Sequence, residues 1–181
     1  MSDTVTPGGD AARALSALLR KLAGISGLVH ENMYRFFGWR YLTMGRHHER
    51  AMGMTALLAV LADADAPIGA LDLAIEVGDS VMTHRRRFTV ATTRETVIDL
   101  LALDPQNPRA IRYQVDGMQE QVQMLPGALD NGELSPLARA MLRCQAALAT
   151  EVPETMTTEM LLDFRDRFSG LSDLLTEAYF R

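Results

Sequence analysis

The sequence predicts an all-α fold, a bundle of six or seven helices joined by short connections, and three observations carry that prediction. Apolar residues return at helical rather than alternating spacing along most of the chain. Start and stop signals recur between these stretches, and Asn107-Pro108 and Ser135-Pro136 each pair a capping side chain with proline at the first helical position. A chain of 181 residues with 48% hydrophobic content can bury one sizeable core but hardly two. A flexible N-terminal tail over residues 1–9 and a single helical domain over residues 10–181 are therefore expected.

In chain order, Asp10 is placed to cap a first helix reaching about Phe36, with Gly24 and Gly27 as weak points. Gly38 separates it from a second helix, from about Trp39 to Ala64, that stops before Pro67. A third runs from about Pro67 to Phe88 on the repeat of Ile68, Leu71, Ile75 and Met82, with Asp79 and Arg86 on the same stripe. Thr93 caps a short helix that Asp104-Pro105 ends, and Asn107 caps the next, whose face is Ile111, Val115, Met118, Val122 and Leu125. After a loop from Pro126 to Leu134, Ser135 starts a helix to about Thr150. The last helix, from about Thr157 to Tyr179, carries Leu161, Phe164, Phe168, Leu171, Leu175 and Ala178.

Composition excludes several classes. A net charge of −5 argues against a surface built for a phosphate backbone, so no nucleic-acid partner is expected. Cys144 is the single cysteine, which rules out an intramolecular disulfide and suits a reducing compartment. The opening residues lack the pattern of a secretory leader, and no uncharged apolar run approaches the roughly 18 residues of a membrane span. A soluble, cytoplasmic protein with no membrane partner is the expectation. His30-Glu31 and His48-Glu49 are isolated pairs, without the His-Glu-x-x-His or repeated Glu-x-x-His spacing of metal sites. Neither metal nor cofactor is expected, and Met residues read as pliable packing.

Polar groups concentrate in three segments: Phe37 to Ala51, Asp79 to Arg87, and Leu103 to Gln114. On a wheel of about 100° per residue, Arg46 and Arg50 fall within the stripe of Trp39, Leu42, Leu57, Val60 and Leu61, with Glu49 at its edge. Charge on an apolar stripe is costly to bury unless paired. Two readings follow: a buried ion-pair network of Arg46, Glu49 and Asp79 that fixes helix register, or an anion site with partly neutralised arginines. His84-Arg85-Arg86-Arg87 spans a full turn and is expected to be mostly solvated, while complementing the dipole of its helix. Asn107-Pro108-Arg109 reads either as an ordinary capped turn or as an anion site at a helix N-terminus.

Taken together these residues resemble the bacterial alpha-E domain family. The resemblance rests on His30-Glu31-Asn32-Met33 with Gly38-Trp39-Arg40, on Gly45-Arg46 with Glu49-Arg50-Ala51, and on Asp79-Ser80 with Met82-Thr83 and Arg85-Arg86-Arg87. Leu103-Asp104, Asn107-Pro108-Arg109, Gln114 and Tyr179-Phe180 complete it. It covers the chain from about Leu15 onward and corresponds to the C-terminal half of longer family members, whose first half carries another Gly-Arg and Glu-Arg-Ala segment.

The resemblance implies an all-α domain encoded beside, or fused to, circularly permuted ATP-grasp ligases, with transglutaminase-like peptidases as neighbours. The expectation is a non-catalytic partner or peptide-handling module for such an amide ligase. Arg46, Arg50 and Arg86 would attract a carboxylate or phosphate, Glu49 and Asp79 would orient them, and Thr83, Asn107, Arg109 and Gln114 would complete the rim. The rival is an enzyme acting on amide bonds through Glu49 or Asp79; an arginine beside either carboxylate would lower its pKa and favour the orienting role. A purely structural assembly subunit is the third reading. Leu15, Leu18, Leu19, Leu22, Ile25 and Leu28 supply more aliphatic surface than one side of a small bundle needs. This predicts a homodimer or a complex with a separately encoded first half.

Overall fold

A computed structural model describes residues 9–89 and 91–181, so the expected tail lies outside the described residues except for Gly9. The fold is all-α: α1 (Gly9–Asn32), α2 (Phe37–Leu61), α3 (Ala70–Val77), α4 (Val81–Arg87), α5 (Arg94–Ile98), α6 (Ile111–Gln123), α7 (Pro136–Thr150) and α8 (Thr158–Tyr179). A π-helical segment, Asp99–Leu103, continues α5. The chain divides into two compact units, the first ending at Trp39 and the second spanning Arg40–Arg181.

In the first unit, Asp10 lies inside the opening turn of α1 rather than capping it, and pairs with Arg13. None of the residues of α1 is buried. At the turn that follows, the Arg35 guanidinium stacks 3.5 Å from the Trp39 ring centroid, and His30 meets the same indole edge-on at 5.7 Å.

The second unit holds the core. α6 packs on α7, and α7 on α8. Their shared interior is built from residues such as Ile111, Val115, Met141, Leu148, Leu161 and Phe168. Three helix starts match the sequence reading. Thr93 forms a reciprocal capping box with Thr96, Ser135 Oγ accepts from the Ala138 amide with Pro136 behind it, and Thr157 Oγ1 accepts from the Met160 amide. One end of the unit is tied by Arg94, which donates to the carbonyls of Ala62 and Met156. Beside it the Asp63 carboxylate accepts from Thr158 Oγ1 at 2.7 Å and from the Asp65 amide, and these bonds hold its pKa below the usual range.

Four expectations are corrected. The third helix is split: Gly78, Asp79 and Ser80 separate α3 from α4, with Asp79 in the left-handed region at φ 48°. Ile68 and Met82, read as part of its buried stripe, are exposed. On α2 the buried residues are Met44, Ala51, Thr55 and Leu58, while Leu42 and Val60 are exposed. Small Ala51 and a threonine whose hydroxyl bonds the Ala51 carbonyl at 2.6 Å form a better core seam than the bulkier residues. In the Pro126–Leu134 loop, strands β1 (Leu129–Asp130) and β2 (Glu133–Leu134) pair across Asn131-Gly132. Both linking residues have positive φ, as a two-residue hairpin turn requires.

Gly78 also marks a close approach, because a Cβ there would stand 2.7 Å from Leu101 Cδ2 and 3.0 Å from the Ala74 carbonyl oxygen. Overpacking of this kind typically costs about 1–3 kcal/mol. Gly78→Ala should lose stability in that range in denaturant melts, and an unchanged midpoint would show that the π segment yields to the extra methyl.

Candidate functional site

The turn from Asp104 to Ala110 gathers most of the polar residues singled out in the sequence. α6 begins at Ile111 with Ala110 as its cap, so Asn107 is not the helix cap. Its side chain instead staples neighbouring segments. Asn107 Nδ2 donates to the Leu100 carbonyl at 2.8 Å and to Ser80 Oγ at 3.3 Å, while its Oδ1 accepts the Arg109 amide at 3.0 Å. The last contact is an Asx turn, the local alternative to helix hydrogen bonding that asparagine offers.

Arg109, oriented by this turn, donates to Asp79 Oδ2 at 2.8 Å. The expected buried network of Arg46, Glu49 and Asp79 is thus replaced, at Asp79, by a surface pair whose carboxylate side chain is 78% exposed. Asp79 lies between α3 and α4, where its left-handed conformation forms part of the break between the two helices.

Gln114 is fully buried on the first turns of α6. Its Nε2 donates to the Pro108 carbonyl, which leaves Oε1 to accept from His47 Nδ1 at 2.7 Å. The amide therefore fixes the tautomer of His47 with the proton on Nδ1. The ring lies against Gly117, where an added Cβ would come within 2.7 Å of it, and stands 6.3 Å from the Tyr113 ring. His47, a residue that the sequence reading did not single out, thus links α2 to α6. The buried seam Met44, Ala51, Thr55 and Leu58 carries the missed signal, since His47 and His48 lie three and four positions beyond Met44.

The Arg50 guanidinium lies within electrostatic reach of those of Arg46 and Arg109. The Arg50 pKa is lowered by partial desolvation first, then by its neighbours Arg46 and Arg109. Tyr113 also lies within electrostatic reach. Of the remaining expected site residues, Arg86 and Thr83 are exposed on α4, and Thr83 borders a polar cleft with Arg87, Asp104 and Asn107. Arg87 bridges Asp99 at 2.8 Å and Asp104 at 2.6 Å. Of the His84–Arg87 run, the three arginines are exposed, as expected of most of it, and His84 is buried: its Nε2 lies 3.0 Å from Thr96 Oγ1 and its ring 5.1 Å from that of Phe88. Glu49, next to Arg50 in the chain, borders an apolar cleft between α2, α6, α7 and α8.

Glu49-Arg50 is the single Glu-Arg pair in the sequence. Residues 2–180 match the family model of Alpha-E, described as a predicted alpha-helical domain with a conserved ER motif. The chain belongs to the Alpha-E family. Uncharacterised proteins of Mycobacterium bovis and Mycobacterium tuberculosis are 31% identical to it over 120 residues, covering 62% of this chain and 14% of each relative. This Alpha-E chain therefore matches only a small part of the length of those relatives. No solved structure matches it.

Cys144 is buried in α7, and desolvation pushes its thiol up to about 11, which suits packing rather than nucleophilic chemistry. Among the described residues no cluster of three or more metal-binding side chains occurs, and no helix is long and apolar enough to cross a membrane.

The two kinds of polar contact differ in burial and should differ in cost. Gln114→Leu strands the Pro108 carbonyl and His47 Nδ1, and should lose about 1–3 kcal/mol. Asp79→Asn breaks an exposed pair and should lose less than about 1 kcal/mol. Chemical denaturation of both variants checks this order, and a costlier Asp79→Asn would reverse the assignment.

Proposed function

We propose that this Alpha-E chain is a non-catalytic binding module whose arginine cluster takes a carboxylate or phosphate presented by a peptide or a partner protein. The observation that carries the reading is Arg109, held by Asp79 at 2.8 Å and within electrostatic reach of Arg50, whose charge is disfavoured by repulsion from the Arg46 and Arg109 guanidinium groups. An anion seated among them relieves that repulsion and gains charge-assisted hydrogen bonds. Asp79 holds Arg109 in place, and Asn107 and Gln114 set the turn that carries it. Arg86 and Thr83 would serve the approach to the site from α4.

The partner follows from the family resemblance: a circularly permuted ATP-grasp ligase that makes amide bonds, with a transglutaminase-like peptidase acting in the same system, in the cytoplasm. Catalysis by Asp79 is the weaker reading, because its carboxylate is engaged by Arg109. Titration with inorganic phosphate and with a short peptide ending in a free carboxylate tests the module. Arg50→Ala should weaken both by roughly tenfold, about 1.4 kcal/mol, with the helical circular dichroism unchanged. Equal affinity for the parent and the variant would remove Arg50 from the site.

We further propose that α1 mediates self-association. Leu15, Leu18, Leu22, Ile25 and Val29 follow the alternating three- and four-residue spacing of a coiled-coil seam. The first four are 51–60% exposed, and Leu19 and Leu28 widen the strip. A second copy would cover this face with matching residues. Light scattering should give a homodimer at micromolar concentration and a monomer for Leu22→Glu. A parent chain that is monomeric under those conditions would overturn this arrangement.

A further inference from the structure

The Glu of the Glu-Arg pair borders a cleft that the arginine cluster does not use. Its floor is apolar and pliable, with Met44, Met118 and Met141 among its lining residues. All three are almost fully buried, so the cleft reaches into the core between α2, α6, α7 and α8. Its volume is about 170 Å³. An apolar cavity of about 150 Å³ can take a group of roughly six carbons, so this space is large enough for an aliphatic side chain.

The mouth has a different chemistry. Gly45 lines it, and a Cβ added there would meet nothing within 4 Å. Packing does not require this glycine, and glycine weakens a helix interior. Its consequence is an open entrance. His48 is fixed beside it, because Nε2 donates to the Phe168 carbonyl at 2.9 Å and leaves Nδ1 facing Glu49 Oε1 at 3.9 Å. Glu49 borders the cleft and its side chain is 84% exposed, so a solvent-accessible carboxylate belongs to the rim of an aliphatic hole.

We propose that this cleft binds the N-terminal aliphatic residue of a peptide, with the side chain in the hole and the α-ammonium group against Glu49. Charge order selects this occupant. A lysine side chain would enter tip first and bury its ammonium among the methionines, which is costly without a partner. An N-terminal leucine or isoleucine carries its cation at the backbone, where the carboxylate lies. The site is separate from the arginine cluster and does not depend on it.

Leucinamide, N-acetyl-leucinamide and N-acetyl-lysinamide distinguish these cases, followed through the carbon-13-labelled methionine methyl signals in NMR titrations of the whole chain. Leucinamide should shift Met44, Met118 and Met141 and saturate in the millimolar range. The acetylated leucine should bind at least about fivefold more weakly, about 1 kcal/mol, and the lysine probe should not saturate. Glu49→Gln should erase the difference between the two leucine probes, and Gly45→Leu should block both. If Gly45→Leu fails to fold, Glu49→Gln decides alone. Absence of shifts with leucinamide, equal binding of both leucine probes, tighter binding of the lysine probe, or a preference that survives Glu49→Gln would overturn the proposal.

Discussion

The side chain of Asn107 is the constraint on which the arrangement of polar groups depends. One amide bonds to Leu100 at the π segment, to Ser80 at the start of α4 and to the backbone of Arg109. Ser80 and Arg109 belong to segments outside the helices, and Leu100 to the short π segment. A single planar side chain with two donors and an acceptor thus joins a backbone carbonyl, a hydroxyl and a backbone amide from three segments. From that turn, Arg109 reaches Asp79 and the Pro108 carbonyl receives Gln114, which in turn holds His47 on α2. The chain of contacts therefore runs from α4 through the turn and α6 to the helix that carries Glu49 and Arg50.

That dependence explains which parts of the structure were legible in the sequence. Helix starts at Thr93, Ser135 and Thr157 were readable because a cap is a local interaction between residues three positions apart. The all-α class was readable from periodicity for the same reason. The break at Gly78 and Asp79 was not, since the apolar spacing continues across it and the close approach of Leu101 to Gly78 is remote in sequence. Asn107 was identified, but its role was misread: a proline after an asparagine signals a cap locally, whereas the bonds to Leu100 and Ser80 exist only after the chain has folded.

The charged residues illustrate a second limit. Placing Arg46 and Arg50 on the core stripe gave excessive weight to large aliphatic residues, because hydrophobic scales favour leucine over alanine and threonine. Close helix packing favours the smaller pair, so the seam runs through Ala51 and Thr55 and rotates the arginines toward solvent. The polar concentration in the sequence was real, but it did not identify which groups pair. Asp79 could be recognised as charge on a helical face; its partner Arg109 could be recognised as charge in a turn. They are joined across the break between α3 and α4, which the apolar spacing does not announce.

Adjacent positions on a helix point about 100° apart, and this separates the two members of the Glu-Arg pair. Arg50 belongs with Arg46 and Arg109, whereas Glu49 borders the methionine-lined cleft. Both cannot be explained as one ion pair, since neighbours at i and i+1 do not face each other. The burial data point the same way: Ala51 next to them is completely buried and anchors the helix, while both charged residues are exposed. A structural role alone would be met by charges that pair across the helix seam or face open water. Here each charge stands at the edge of a different surface, one cationic and one apolar with an acidic rim, and the short sequence Glu49-Arg50-Ala51 sets the angle between them.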